Sequence, residues 1–394
     1  MSEPTKSWWR LQEVKLILAW LTVVVVTIIA DPTQTYLNSP VICAQELLRQ
    51  TIFLSVFALG AAVIIISGGI DLSSGSMIAM SATCFALVMQ QFDAVPSAEV
   101  GSTAYGHLLV GVAATLLLGF FVGTFNAWLI TKIGLQPFVA TLATLVGLRS
   151  LAWALAIAGT NTAQIRMKHT WVSDLLRSPV TLLVILAILG TSFWFMMSRS
   201  VIGRRLHAMG GNEQAALLSG IRTDQYKWLA YSLGSMTAAL MGILLLAYTT
   251  TADPSTDAMG YELNAIAAAV TGGCSLKGGI GTIPGTVLGC LFISTVIDSI
   301  GKILGGQATS AKVYEGLVVG IVVVLAVTFS QKSAASKRYF ADPIGWAAIP
   351  FLSLLVGCIT LFYKHDMKLA LAIGGAALIA FTIRAVWETK RANA

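Results

Sequence analysis

Apolar runs of roughly membrane-spanning length alternate with short polar stretches from one end of this chain to the other. They occupy residues 14–30, 51–68, 75–91, 107–131, 138–158, 180–198, 228–248, 263–273, 284–304 and 313–329, with two more at 346–363 and 369–387. A spanning helix needs about 20 largely apolar residues, so the pattern predicts an all-α, polytopic membrane bundle of about ten core crossings plus two extra C-terminal helices. The run at 263–273 is short and ends in glycine, as a helix broken inside a bilayer would. The expected organisation is a cytoplasmic N-terminus (1–13), a transmembrane domain (14–330), a polar linker (331–345) and the C-terminal pair (346–389). The first run lacks a small-residue cleavage site and reads as a retained helix rather than a removed signal.

Between the second and third runs stands SGGIDLSSGS, residues 67–76, which sets a glycine pair, a carboxylate and several hydroxyls between two strongly apolar segments. A charge in hydrocarbon costs about 2.5–3.5 kcal/mol on insertion scales, so Asp71 should face a cavity, a partner group or the interface. Gly68, Gly69, Asp71, Ser73 and Gly75 are therefore candidate pore or gate residues. The simpler alternative is a turn between two helices, with Asp71 as a solvated cap. A second break, TGGCSLKGGIGTIP at 271–284, echoes the first at a shift of 204 residues. That shift sets Gly68 on Gly272, Gly69 on Gly273 and Gly75 on Gly279, with Ser275 replacing Asp71, and adds those four residues to the candidates. Repeats with discontinuous helices at matching positions point to a transport site.

The longest polar insertion in the hydrophobic body is 199–227. There Asn212 follows Gly210 and Gly211 and can cap a short helix, Glu213 suits its positive end, and Gly220 can terminate it after Ser219. Gly211, Asn212, Glu213, Ala215, Ala216, Ser219 and Gly220 form a candidate docking surface for a partner. The simpler alternative is a charged loop obeying topology rules.

The 394 residues are 56% hydrophobic and only 11% charged, well below the roughly 25% charged residues of soluble domains. The net charge of +7 gathers in short loops and at the termini, with no basic face interleaved with aromatics, so nucleic acid is excluded as a partner. Placing the N-terminus in the cytoplasm puts Lys132, segment 199–227, Lys277, the basic cluster at 332–338 and Lys390–Arg391 on that side. One segment, 159–179, then carries Arg166, Lys168 and Arg177 on the outer side. The five cysteines show no CxxC spacing and the four histidines are scattered, which predicts no metal site, no cofactor and no catalytic centre. No GxxxxGK[ST] phosphate loop occurs, so any ATP hydrolysis belongs to another chain.

Three segments in order, GGIDLSSGS (68–76), GRRLHAMGGNEQAALLSGI (203–221) and GYELNAIAAAVTGGCSLKGGIGTIPGT (260–286), resemble the permease subunits of bacterial ATP-binding-cassette importers for monosaccharides, the ribose, xylose and galactose branch. The likeness covers about 47–329. It implies two permease chains, as homodimer or heterodimer, forming one pore in the inner membrane, a cytoplasmic ATPase pair, and a periplasmic or extracellular sugar-binding protein. The helix around Asn212 then corresponds to the coupling helix that seats in the ATPase. Ser74 stands where valine is usual, Cys274 where threonine is usual, and the chain runs two helices past the usual C-terminus, for which assembly, lipid contact or an accessory partner are the expected roles. The rival class is an ion-coupled secondary transporter with Asp71, Asp298 or Glu315 as the titrating carboxylate.

Overall fold

The computed structural model describes residues 8–92, 100–303 and 367–392, with a few single positions between 316 and 354. The expected run at 313–329, Glu315, the 332–338 cluster and most of the run at 346–363 lie outside the described residues. The chain divides into two units, Met1–Ser330 and Gln331–Ala394.

In the first unit the order is α1 (Trp8–Ala30), α2 (Thr35–Asn38), α3 (Pro40–Ile66), α4 (Ser74–Gln90), α5 (Ser102–Thr131), α6 (Pro137–Thr160), β1 (Ile165–Arg166), α7 (Thr170–Arg177), α8 (Pro179–Arg199), α9 (Val201–Gly211), α10 (Glu213–Leu218), α11 (Thr223–Thr249), β2 (Thr251–Ala252), α12 (Tyr261–Thr271) and α13 (Ile283–Ile303). The second unit carries α14 (Met367–Ala392). Seven described helices are long and apolar enough to cross a membrane: α3, α5, α6, α8, α11, α13 and residues 371–389 of α14. The apolar part of α1 and the whole of α4 are shorter. At 11 residues α12 rises only about 16 Å and is a half-helix.

Proline at the first turn starts α3, α6 and α8, where its missing N–H costs nothing. Consequently α3 begins at Pro40, eleven residues before the apolar run at 51. The interior is built on α3 and α11, which are mostly buried, while α5, α6 and α8 turn most of their apolar surface outward, as lipid-facing helices do. Gly119 and Gly123 let α5 lie against α11: a Cβ on Gly119 would stand 2.8 Å from Ser235 O, and one on Gly123 would stand 2.5 Å from Ser232 Cα. Polar bonds join α1 to α13, with Trp20 Nε1 donating to Thr295 Oγ1 (2.9 Å) and Thr27 Oγ1 to Ser299 Oγ (2.7 Å).

Several short elements were not predicted. The segment before Asn212 is helical as α9, capped by Ser200, whose Oγ accepts from Gly203 N at 3.2 Å. Its buried residues Gly203, Leu206 and Met209 recur every three positions, an amphipathic signal visible in RLHAM had the glycine pair not read as a turn. The segment 159–179 also holds α7, which buries Trp171, Val172 and Ser173, and β1, which pairs antiparallel with β2.

Candidate functional site

Both glycine breaks end a helix in the same way. At the end of α3, Gly68 adopts φ +86°, its N–H donates to Ile65 O and that of Gly69 to Ile64 O, each at 2.9 Å. At the end of α12, Gly273 adopts φ +101°, donating to Val270 O, and Cys274 donates to Ala269 O, again at 2.9 Å. This is the Schellman termination, which demands a left-handed residue and so favours glycine. The matching residues are Gly68 and Gly273, a shift of 205 rather than 204. The 204 shift does hold at the polar turn: Asp71 Oδ1 accepts from Ser73 N (2.7 Å), as Ser275 Oγ accepts from Lys277 N (3.2 Å). It fails again beyond, since the second break spans residues 272–282 against 67–73. Gly75 lies inside α4 beside the Glu262 carboxylate, whereas Gly279 lies in the loop at φ +74°, so these two are not equivalent. Gly272 is required for another reason: a Cβ there would collide with Gly285 O across the α12–α13 contact.

The breaks touch each other and touch α9. Gly279 N donates to Ile66 O at 2.8 Å, and His207 Nδ1 donates to Gly279 O at 3.1 Å. A Cβ on Gly278 would stand 2.8 Å from Gly68 Cα, and one on Gly279 would stand 2.7 Å from Gly211 Cα. One on Gly210 would overlap Ile66 O and stand 2.6 Å from Gly279 N. Five glycines from three segments thus meet backbone to backbone. Leu206, Met209 and Ala216 pack with Ile64, Ile66, Tyr231 and Cys274 in one apolar cluster, which fixes α9 and α10 to the ends of α3 and α11.

Asp71 is buried, 5% exposed, which overturns the solvated-cap alternative. Its Oδ1 accepts from both Ser73 N and Ser73 Oγ (2.6 Å). Asn126 Nδ2 of α5 donates to Ser73 Oγ (3.0 Å), and Thr144 Oγ1 of α6 donates to Asn126 Oδ1 (2.6 Å). Tyr231 Oη donates to Ile70 O (3.2 Å) and covers Gly69, whose added Cβ would lie 2.5 Å from that hydroxyl. Asp71 Oδ2 and Ser74 Oγ are buried with no hydrogen-bond partner among the described residues. Farther along α4, Arg149 of α6 donates to Ser76 Oγ (3.3 Å) and to the carbonyls of Pro254 and Asp257 (2.9 Å each), with Glu262 and Asp257 within reach of its charge. Asn126, Thr144, Arg149, Tyr231 and Glu262 were not among the sequence candidates. Arg149 and Glu262 carried a signal, a lone charge within or beside an apolar run.

The docking candidates fall as the capping pattern predicts, with one correction. Asn212 Oδ1 accepts from Ala215 N at 3.0 Å, Glu213 pairs with Lys227 at 2.5 Å, Ser219 Oγ donates to Ala215 O at 2.9 Å, and Gly220 leaves the helix at φ +79°. Ala215 is exposed, but Ala216 is 4% exposed and faces the chain's own core, so it is not a partner-facing residue. The exposed apolar tip is instead Leu217 and Leu218, the latter 90% exposed. Cys274 is buried with Sγ 3.6 Å from Thr286 Oγ1. Among the described residues no cluster of metal-ligating side chains occurs, and Asp298 is held by Tyr36 Oη (2.6 Å) and Lys302.

A helical, multi-pass membrane bundle with two broken helices in backbone contact and a buried polar network at the first of them defines a membrane transport subunit. Residues 43–327 match the family model described as branched-chain amino acid transport system / permease component, and the chain belongs to that family of permeases. It is 33% identical over 336 residues, 83% of this chain and 96% of the relative, to the ribose import permease protein RbsC of Escherichia coli K12. The RbsC of Bacillus subtilis 168 is 33% identical over 74% of this chain and 85% of its own length. The galactose/methyl galactoside import permease protein MglC of Haemophilus influenzae is 28% identical over 85% and 99%. No solved structure matches the chain. The family match ends before α14, which lies beyond it.

Proposed function

We propose that this chain is the permease subunit of an ATP-driven importer that carries a monosaccharide of the ribose, xylose or galactose class across the inner membrane. The observation that carries this reading is the glycine junction, where α9 rests on both helix breaks while the α10 that follows it projects exposed leucines. A soluble ATPase chain that grips α10 would move α9, and α9 cannot move without displacing Ile66 and Gly279. The sequence has no phosphate loop of its own, in keeping with an ATPase on a separate chain. A second permease chain completes the pore, and a binding protein delivers the sugar from outside.

The N-terminus and 199–227 lie in the cytoplasm, the transmembrane domain runs over 14–330, and 346–389 adds two helices after a cytoplasmic linker at 331–345. Gly68, Gly69, Asp71, Ser73, Gly75, Gly272, Gly273, Ser275 and Gly279 form the moving gate. Gly211, Asn212, Glu213, Ala215, Ser219 and Gly220, with Leu217 and Leu218, form the coupling surface. The test is uptake by proteoliposomes holding this chain, the ATPase and the binding protein, with ATP enclosed. Labelled sugar should accumulate with an uncoupler present, whereas collapse of uptake on adding the uncoupler would assign an ion-coupled carrier instead.

A further inference from the structure

The basic segment 159–179 is used by nothing in the transport reading. Its charged residues Arg166, Lys168, Asp174 and Arg177 all line one water-exposed cavity of about 690 Å³, together with Thr162 and Gln164. Burial alternates along this stretch, with Ile165, Met167 and His169 inside and Arg166 and Lys168 outside. Pairing of Arg166 with Thr251 across β1 and β2 fixes that register, so both cations stand on one face. Arg177 is accounted for structurally, because its guanidinium donates to Ala247 O (3.0 Å) and Tyr248 O at the C-terminus of α11. Arg166 and Lys168 take part in no ion pair among the described residues.

The cavity also receives the N-terminus of α7. Its N-cap, His169, provides no side-chain cap, because the ring turns inward and Nε2 donates to Met89 O at 2.9 Å. Ser173 of the first turn lies in the cavity wall. Three cations, one carboxylate and the positive end of a helix therefore face a space within the roughly 300–1,000 Å³ range of small-molecule sites. That space is much larger than an inorganic anion fills, and hydroxyl and amide groups line the rest. Gln164 Nε2 donates to Asp253 Oδ2 (2.9 Å), leaving the amide oxygen as an acceptor for a ligand hydroxyl.

We propose that this cavity binds a polyhydroxylated organic oxyanion, of the sugar-acid or sugar-phosphate class, with the anionic group at Arg166, Lys168 and the α7 N-terminus and the hydroxyls at Thr162 and Gln164. The site is separate from the helix breaks, and its test needs neither ATP nor partner proteins, so failure of the transport reading leaves it standing. The chain in nanodiscs is titrated calorimetrically with gluconate, glucose 6-phosphate, glucose and inorganic phosphate. Gluconate or glucose 6-phosphate should bind saturably, at least about tenfold tighter than glucose or phosphate, and more weakly as sodium chloride rises. The double variant R166Q/K168Q should weaken that binding at least about tenfold at an unchanged ligand-free melting temperature, whereas D174N, which removes the opposing charge, should tighten it. Absence of saturable binding, equal binding of glucose or phosphate, indifference to R166Q/K168Q, or weakening by D174N would each overturn the proposal.

Discussion

The amide of Gly279 donates a 2.8 Å hydrogen bond to the carbonyl of Ile66, so the loop of the second helix break caps the last turn of the helix that ends in the first. A terminal helix carbonyl lacks an intrahelical partner, and here that partner comes from 213 positions along the chain. Motion at either break is therefore felt at the other, and α9 stands on the bond between them.

Val at Gly69 or Gly273 should stop uptake while the chain still inserts. At Gly69 the new Cβ meets Tyr231 Oη at 2.5 Å, and at Gly273 it forces a β-branched residue into φ +101°, costing about 1–3 kcal/mol. Sugar uptake in a permease-deletion strain, normalised to membrane-inserted protein, measures this. Wild-type rates in both variants would show that the breaks are static.

On α10 the two faces separate docking from folding. L218E, at a 90% exposed position, should leave the permease melting temperature unchanged and weaken ATPase association by about 2 kcal/mol, near 30-fold. A216E buries a charge among Leu206, Met209 and Tyr231 and should destabilise the permease itself by about 3–5 kcal/mol. Pull-down of the ATPase alongside thermal unfolding distinguishes the two, and equal ATPase recovery from L218E and wild type would contradict the docking assignment.

Asp71 anchors the chain of bonds through Ser73 and Asn126 to Thr144. Asp71→Asn keeps an acceptor for Ser73 and should retain part of ATP-dependent uptake, while Asp71→Leu leaves the Ser73 donors unpaired, costs about 1–3 kcal/mol and should lose most of it. Proteoliposome uptake decides, and equal abolition in both variants would mark Asp71 as a titrating group.

Outside the spanning helices, the α11–α12 loop holds two carboxylates with opposite pH behaviour. Burial holds Asp257 above the usual carboxylate range, so the folded loop binds more protons than the unfolded one and this residue's contribution to stability falls as pH rises. Burial also pushes Asp253 upward, but hydrogen bonds from Ser255 and Gln164 outweigh it and leave that carboxyl below its ordinary value, so its contribution rises with pH. Above about pH 4, D257N should make the melting temperature climb more steeply with pH than wild type, whereas D253N should make it climb less steeply below about pH 5, where the Asp253 contribution is lost. The reverse order would contradict this loop geometry.

Much of the architecture was legible because hydrocarbon imposes a strong compositional signal: the predicted runs overlap α1, α3 to α6, α8 and α11 to α14. The Asn212 cap and the Gly220 stop were equally plain, since each is a local rule carried by one residue. What stayed hidden depended on tertiary contact. Ala215 and Ala216 are indistinguishable in sequence, yet only Ala216 packs against Leu206 and Met209. The 205-residue match of Gly68 with Gly273 was obscured because adjacent glycines align equally well by letter and only φ tells which is left-handed. Gly210 was read only as part of the turn before Asn212, although its role is set by the backbones of Ile66 and Gly279.

That contact also supplies the most direct test of coupling through α9. Gly210→Ala adds one methyl group where it would overlap Ile66 O and stand 2.6 Å from Gly279 N, without touching α10. In proteoliposomes with the ATPase and binding protein, the variant should co-purify with the ATPase as wild type does and retain ATP hydrolysis, while sugar uptake per ATP falls at least about tenfold. Wild-type uptake per ATP in Gly210→Ala would contradict the claim that α9 transmits ATPase motion to the two helix breaks.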